Sequence, residues 1–233
     1  MRLDKFLADS GLFTRSEAGR AIRSGRVTVD GVKAGDPSMK IDENRVLVAA
    51  DGKEIPYCRF RYLMLNKPDG YVSTTENDPK SVLKLLPPEY SRMEMFPCGR
   101  LDIDTVGLLL ITNDGQTAHR LLSPKHHCEK KYRFRCLPVD DKMKERLENG
   151  ISFSDFVSKP CTVELDDPTS GVITVTEGKY HQIKRMFHAV GSEITFLERI
   201  CFAGVELDPK LARGEWREMS ADEISVLMKN AGK

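Results

Sequence analysis

Apolar residues near the start of the chain recur at the spacing of short helices. Leu3, Phe6 and Leu7 share one helical face, and Gly11 is a suitable cap for the end of that helix. Residues 14–17, Thr-Arg-Ser-Glu, have the capping-box pattern, in which two side chains bind free backbone N–H groups at a helix start. A second helix is therefore predicted to begin there. Its apolar stripe consists of Ala18, Ala21 and Ile22.

A small β-unit is predicted to follow. Val27 and Val29 alternate with polar residues ahead of Asp30-Gly31, a dipeptide typical of tight hairpins. Pro56 and polar neighbours indicate a linker near residues 55–61. We therefore expect residues 1–56 to form a small domain with its linker, and residues 57–233 to form a second, larger domain.

The larger domain alternates strand-like runs with short helices. A continuous apolar run over residues 107–112 predicts a buried strand, and the β-branched run 172–176 predicts another. Met143 and Leu147 indicate a short helix, and Ser220 with Glu223 forms a second capping box for a terminal helix. No repeat is visible, so the predicted fold class is α+β.

Composition predicts an ordinary globular protein, with 40% hydrophobic and 30% charged residues in a chain of 233. Residues 1–5 carry charges where a signal peptide needs an apolar run, and no apolar stretch reaches about 18 residues. We therefore expect the protein to remain in the cytoplasm. The six cysteines form no Cys-x-x-Cys pair or Cys/His cluster, which predicts free thiols and neither zinc nor disulfides.

Positive charge is segregated along the chain, although the net charge is only +1. Residues 119–135 contain six basic residues against the single acid Glu129, a local balance of +5. Because binding of a polyanion needs local rather than overall positive charge, the low net charge does not exclude a nucleic-acid partner.

Two carboxylates stand directly before the predicted buried strand, in the run 99–107. A carboxylate in a loop beside a core strand is held rigidly and remains accessible, which suits a nucleophile or base. On spacing alone, Asp102 and Asp104 could instead bind Mg²⁺ or cap a turn. The metal alternative is weakened by the neighbouring Arg100 and by the lack of further acidic residues.

Two basic segments could serve such a carboxylate. In residues 178–191 an apolar helical face leaves His181, Lys184, Arg185 and His188 on the other side, with no acid to offset them. A cation from this helix could keep Asp102 ionised. In residues 123–133, basic residues surround Tyr132, which is either a platform for an unstacked base or a core strand residue.

The start of the chain resembles the S4 domain, a small RNA-binding module. The resemblance rests on residues 2–7, 14–16 and 25–31 and covers roughly residues 1 to 50. It implies that arginines of the second helix and its adjoining loop contact RNA, whereas spacing alone would also allow an ordinary solvated surface. Deleting residues 1–55 is then expected to weaken RNA binding and to spare the fold of the remainder.

Four further segments, taken in order, resemble the RNA pseudouridine synthases. They are residues 65–73, 99–115, 130–132 and 177–187. Similarity extends over nearly the whole chain and is greatest to the type that modifies uridine 516 of 16S small-subunit ribosomal RNA. The resemblance implies a mixed or antiparallel sheet in the catalytic domain. Many relatives carry arginine where Lys184 stands.

The resemblance also implies a mechanism without a cofactor or metal. Asp102 would be the essential aspartate. It would act either as a nucleophile on the ribose or the uracil, or as a general base at the ribose. Tyr132 would stack on the flipped-out uracil, and Lys184 or Arg185 would hold Asp102 ionised. The basic residues expected to contact RNA are Arg2, Arg15, Arg20, Arg23, Arg26, Lys67, Arg100, Lys125, Lys130, Lys131, Lys179 and His181.

The expected partner is 16S ribosomal RNA or a small-subunit assembly intermediate, bound by a monomer without membrane attachment. Two alternatives remain: a large-subunit ribosomal RNA synthase of the same superfamily, and a non-catalytic RNA-binding assembly factor. Residues 125–130 and 179–182 favour the small-subunit type by resemblance.

Overall fold

The computed structural model describes residues 1–232, and its contacts divide the chain into two compact units. The first consists of Met1–Arg61 together with Leu86–Met95, and the second of Tyr62–Leu85 and the chain from Phe96 onward. The division therefore falls after Arg61 rather than after residue 56, and the first unit includes a segment from later in the chain.

The first unit holds three helices and a small sheet. Its elements are α1 (Leu3–Asp9), α2 (Arg15–Arg23), β1 (Val27–Val29), β2 (Val32–Lys33), β3 (Val48–Ala50), β4 (Lys53–Glu54) and α3 (Pro88–Ser91). The antiparallel strands lie in the order β2-β1-β3-β4. The capping box of α2 is confirmed: Thr14 Oγ1 accepts from Glu17 N at 3.2 Å, and Glu17 Oε2 accepts from Thr14 N at 2.7 Å. The hairpin at Asp30-Gly31 is confirmed too, with both residues at positive φ.

The segment Leu86–Met95 completes the first unit. A Cβ built on Gly11 would lie 2.2 Å from the terminal methyl carbon of Met93, so the two residues are in close contact. Arg92 donates a hydrogen bond to the Leu12 carbonyl at 3.3 Å. Because these contacts join residues about eighty positions apart, the first unit is not a contiguous N-terminal piece, and deleting residues 1–55 would strip this segment of its partners.

The second unit is built on a mixed nine-stranded sheet, and the predicted α+β class is confirmed. Its strands are β5 (Tyr62–Lys67), β6 (Phe96–Pro97), β7 (Val106–Thr112), β8 (Lys130–Cys136), β9 (Thr162–Asp167), β10 (Ser170–Val175), β11 (Ile194–Phe202), β12 (Val205–Glu206) and β13 (Trp216–Glu218). The main order is β13-β5-β7-β11-β8-β10-β9. Only β7 and β11 pair in parallel; the remaining pairs described are antiparallel.

Four α-helices and a 3₁₀-helix belong to this unit. They are α4 (Gly115–Leu122), α5 (Asp141–Asn149), α6 (Gln182–Val190), α7 (Ala221–Asn230) and the 3₁₀-helix Val82–Leu85. The strands and helices predicted at 107–112, 143–147, 172–176 and after Ser220 are all present. The capping box of α7 pairs Ser220 and Glu223 in both directions, at 2.7 and 3.2 Å. No helix within residues 1–232 is long and apolar enough to cross a membrane.

Strand register places a row of residues side by side on one face of the sheet. Lys67 of β5 lies opposite Gly107 of β7, Gly107 opposite Arg199 of β11, and Arg199 opposite Tyr132 of β8. Gly107 has φ +97°, and a Cβ there would fall 2.3 Å from the Arg199 carbonyl oxygen. Only glycine therefore allows β7 and β11 to approach at this point.

Beyond Gly107 the pairing of β7 with β11 ends, and carbonyls of β7 accept hydrogen bonds from other donors. Arg199 Nε donates to the Leu108 carbonyl at 2.7 Å, and the Cys98 backbone N–H donates to the Leu110 carbonyl at 2.7 Å. Carbonyls that lose a strand partner are thereby satisfied. The buried Arg199 thus links the row described above to the core of the unit.

Candidate active site

Asp102 lies in the loop before β7, within reach of two basic side chains at the start of α6. Lys184 Nζ is 3.4 Å from Asp102 Oδ2, and His181 Nε2 is 3.6 Å from Asp102 Oδ1. The carboxylate is about a quarter exposed, so solvent and a ligand can still reach it. A partly shielded carboxylate held between two basic groups is positioned to act on a ligand as a nucleophile or base.

Lys184 joins both carboxylates of the loop. Its ammonium also donates a hydrogen bond to Asp104 Oδ1. Desolvation works to raise the pKa of Asp104, but the hydrogen bond and charge of Lys184 outweigh it and hold the pKa below its ordinary value. Since an ammonium stands between the two carboxylates, their arrangement suits an ion-pair network better than a divalent cation.

Arg185, the next residue, is engaged elsewhere. It makes a bidentate pair with Asp155, at 2.6 and 3.0 Å, and its guanidinium lies 4.6 Å from the Phe153 ring and 4.9 Å from the Phe156 ring. Of the two cations considered as partners of Asp102, Lys184 is the one in contact with it. Successive helical residues are rotated by about 100°, which separates the two side chains.

A polar network fixes the backbone just before α6. Gln182 Nε2 donates to Glu177 Oε1 at 2.8 Å, Gln182 Oε1 accepts from Lys179 N at 2.9 Å, and Glu177 Oε1 also accepts from Lys159 N at 2.8 Å. Glu177 and Gln182 are both buried. Because these bonds hold the turn that carries His181, they help orient the two basic groups toward Asp102. The sequence reasoning missed both residues as site residues, although they flank the basic helix.

Tyr132 is buried in β8, on the face of the sheet that also carries Lys67 and Arg199. Two residues further along the same face, Phe134 meets Phe187 of α6 edge-on, with ring centroids 4.8 Å apart. Helix α6 therefore packs on the face that carries Tyr132. The tyrosine has the environment of a core strand residue, and it lies on the side of the sheet where the basic helix is found.

Comparison with known proteins identifies the family. Residues 61–189 match the model of the RNA pseudouridylate synthases, which is more than half of the chain, and residues 1–47 match the S4 domain. The chain belongs to the RNA pseudouridylate synthase family. It is therefore an RNA pseudouridine synthase, an isomerase, with an S4 domain at its N-terminus, as the sequence resemblance predicted.

Similarity to individual pseudouridine synthases extends over the full length. The chain is 44% identical to an uncharacterized RNA pseudouridine synthase of Bacillus subtilis, covering 97% of this chain and 98% of the relative. It is 42% identical to ribosomal small subunit pseudouridine synthase A of Escherichia coli, covering 98% and 100%. A solved crystal structure of a pseudouridylate synthase superimposes with a TM-score of 0.68 at 36% identity, covering 97% and 99%.

Lys67 of the synthase does not lie on an RNA-binding surface, contrary to the prediction. It is completely buried, and Nζ donates to the carbonyls of Thr105, Ile103 and Pro68 at 2.8, 3.0 and 3.1 Å. Burial lowers its pKa from 10.5 to about 8. The side chain extends from a strand paired on both sides and braces the loop that carries Asp102.

Lys130 is likewise buried rather than available to phosphate. Its Nζ donates to the Cys128 carbonyl at 3.1 Å and lies 5.4 Å from the Phe202 ring centroid. Burial, assisted by the charge of Arg199, lowers the pKa of Lys130. Lys131 is only partly buried, but alternation along β8 turns it to the face opposite Tyr132. The two lysines therefore do not form one basic patch.

The other predicted RNA contacts lie at the surface. In the second unit Arg100, Lys125 and Lys179 are exposed and His181 is partly exposed. In the first unit, the side chains of Arg2, Arg15, Arg20, Arg23 and Arg26 are exposed. Arg2 is paired with Asp4 and Arg26 with Asp51. Arg20 and Arg26 share a pocket of about 370 Å³ with Arg92, a third arginine that the sequence reasoning missed.

Proposed function

We propose that this enzyme isomerises uridine 516 of 16S small-subunit ribosomal RNA to pseudouridine, with Asp102 as the catalytic carboxylate. The substrate is supported by the name of the Escherichia coli relative, ribosomal small subunit pseudouridine synthase A, which is similar over its entire length. The observation that carries the catalytic assignment is the position of Asp102, whose oxygens lie 3.4 and 3.6 Å from Lys184 and His181.

The reaction balances without an oxidant, a reductant or a group donor. The bond from ribose C1′ to uracil N1 breaks, the base turns within the site, and a bond from C1′ to C5 forms. The hydrogen on C5 leaves as a proton, and N1 gains one. Asp102 acts either as a nucleophile on the ribose or the uracil, or as a general base at the ribose. The ammonium of Lys184 stabilises the negative charge of Asp102.

The target nucleotide must leave its stack to be reached, which costs a few kcal/mol in RNA. Phosphate contacts from the exposed arginines of the first unit offset part of this cost. In the second unit Tyr132 lies against the flipped base. The substrate is 16S RNA, free or in an assembly intermediate, and the enzyme works on it in the cytoplasm as a monomer.

Mapping pseudouridine in 16S and 23S RNA from cells that lack the protein tests the substrate. Loss of one pseudouridine in 16S RNA, at position 516, is expected, with restoration by the wild-type chain. Loss of a site in 23S RNA would instead identify a large-subunit enzyme. Unchanged maps together with altered subunit assembly would favour the non-catalytic assembly factor.

A matched pair of variants tests the carboxylate. Asp102→Asn keeps the shape and removes the charge, so pseudouridine formation by purified protein on a 16S fragment should disappear. Asp104→Asn changes the same loop at a more exposed carboxylate and should retain most of the activity. Isomerisation by Asp102→Asn at the wild-type rate would exclude the assignment, as would equal losses in both variants.

A further inference from the structure

Tyr180 is unusually exposed for an aromatic residue beside an active site. It is 74% exposed, the highest value among the large hydrophobic side chains of residues 1–232. By contrast, Tyr62, Tyr90 and Tyr132 are each 8% exposed. Burying an aromatic ring stabilises a fold, so a tyrosine left in solvent at this position contributes little to core packing.

The exposed ring is nevertheless held in a defined arrangement. It stacks on the imidazole of His181, with centroids 3.8 Å apart and planes inclined by 17°. Side chains of consecutive residues diverge in a regular helix or strand. Here they meet because His181 adopts the left-handed conformation, with φ +50° and ψ +30°.

That conformation is unfavourable for a residue other than glycine by about 1–2 kcal/mol. The hydrogen bonds of Glu177 and Gln182, which flank Tyr180 and His181, hold the backbone in place. The surrounding structure therefore stabilises a strained turn whose result is a preformed stack of two rings. Backbone strain that persists in this way is a sign of a functional constraint.

The stack begins at the catalytic carboxylate. His181 Nε2 is 3.6 Å from Asp102 Oδ1, and Tyr180 covers the imidazole on one side. Any nucleotide that reaches Asp102 brings its neighbours in the strand close to this stack. The adjoining Lys179 is exposed and offers a positive charge for a phosphate of the same strand.

We propose that Tyr180, supported by His181, is a stacking platform for an unpaired base next to the target uridine. The proposal rests on the proposed function. Flipping a nucleotide removes a stacking partner from each of its neighbours, and an aromatic side chain can replace that partner for any base. The platform would thus stabilise the open RNA without reading its sequence.

The test measures equilibrium binding of a 16S fragment to the wild type, Tyr180→Ala and Tyr180→Phe. Stacking on an aromatic side chain corresponds to about a 5- to 150-fold change in Kd, so Tyr180→Ala should bind more weakly by a factor in that range. Tyr180→Phe keeps the ring and should bind within about threefold of the wild type. Tyr180 is a surface residue, so neither variant should disturb folding.

RNA lacking one base completes a double-mutant cycle. Fragments are made abasic at the position 5′ or 3′ of the target uridine, with the uridine itself retained. At one of the two positions, base removal should weaken binding to the wild type but cause no further loss in Tyr180→Ala, because both changes remove the same contact. Independent losses at both positions, or wild-type binding by Tyr180→Ala, would overturn the platform.

Isomerisation of the unmodified fragment by the wild type separates this proposal from the one on which it rests. If the wild type binds the fragment but forms no pseudouridine, the proposed function fails. The coupling between Tyr180 and the flanking base is read from binding alone, so it is decided whether or not the reaction occurs.

Discussion

Replacement of Gly107 by alanine should destabilise the second unit strongly. The new Cβ would lie 2.3 Å from the Arg199 carbonyl oxygen and 3.0 Å from the Arg199 nitrogen. Arg199 belongs to β11, and because β11 is hydrogen bonded to β8 its backbone cannot move aside freely. Positive φ costs alanine about 1–2 kcal/mol and overpacking a further ~1–3 kcal/mol. The expected loss in the free energy of unfolding is therefore about 2–5 kcal/mol.

The chain supplies both a probe and a matched control for this prediction. Trp216, the only tryptophan, lies in β13, which pairs with β5 next to β7, so its fluorescence reports the unfolding of this sheet. With a urea m-value of about 2 kcal/mol/M, the unfolding midpoint should fall by about 1–2.5 M. Gly70→Ala carries a similar positive φ, +78°, with open space around its Cβ, and should lose only the conformational cost of about 1–2 kcal/mol. Equal losses for the two variants would refute the steric argument.

Two further predictions concern Lys67 and the segment Leu86–Met95. Because burial lowers the folded-state pKa of Lys67 to about 8 while the unfolded value is near 10.5, the unfolded chain binds the extra proton between these values. The stability of the wild type should therefore rise relative to that of Lys67→Met as pH increases through this window. A difference between the two urea midpoints that stays the same at all pH values would contradict the lowered pKa of Lys67. Deleting residues 1–55 should make the remainder aggregate, because Tyr90 and Met93 lose the unit in which they are buried. Size-exclusion chromatography measures this aggregation. Adding Tyr90→Ser and Met93→Ser to the deletion should restore a monomer. If the deletion protein is monomeric without these two substitutions, the segment is independent of the first unit.

Local signals in the sequence predicted the elements that are stabilised locally. The capping boxes at Thr14 and Ser220 and the hairpin at Asp30-Gly31 depend on residues within about three positions of one another, and each forms as predicted. The place of Leu86–Met95 could not be predicted in this way. Its partners lie about eighty residues earlier in the chain, and no local pattern encodes that contact.

Burial of charged residues was harder to predict, because it depends on which strands are central and which face is covered. Lys67 and Lys130 were both predicted to contact RNA, yet both are buried, which is rare for lysine. In the fold each ammonium is hydrogen bonded to backbone carbonyls, three for Lys67 and one for Lys130. Carbonyl acceptors supplied by a loop leave no mark in the sequence of the lysine itself.

Adjacent cations illustrate why a charge pattern does not by itself define a binding surface. Lys184 contacts Asp102, whereas Arg185 binds Asp155, because a helix turns successive side chains apart. Lys130 and Lys131 point to opposite faces of a strand for the corresponding reason. Arg185 and Lys130 each hold a part of the structure in place. A mutation that removes both members of a pair therefore cannot separate an effect on RNA binding or catalysis from an effect on folding. The roles of these residues therefore have to be tested one side chain at a time. For Arg185 and Lys130, each test should also check whether the structure around their contacts, Asp155 and the Cys128 carbonyl, is retained.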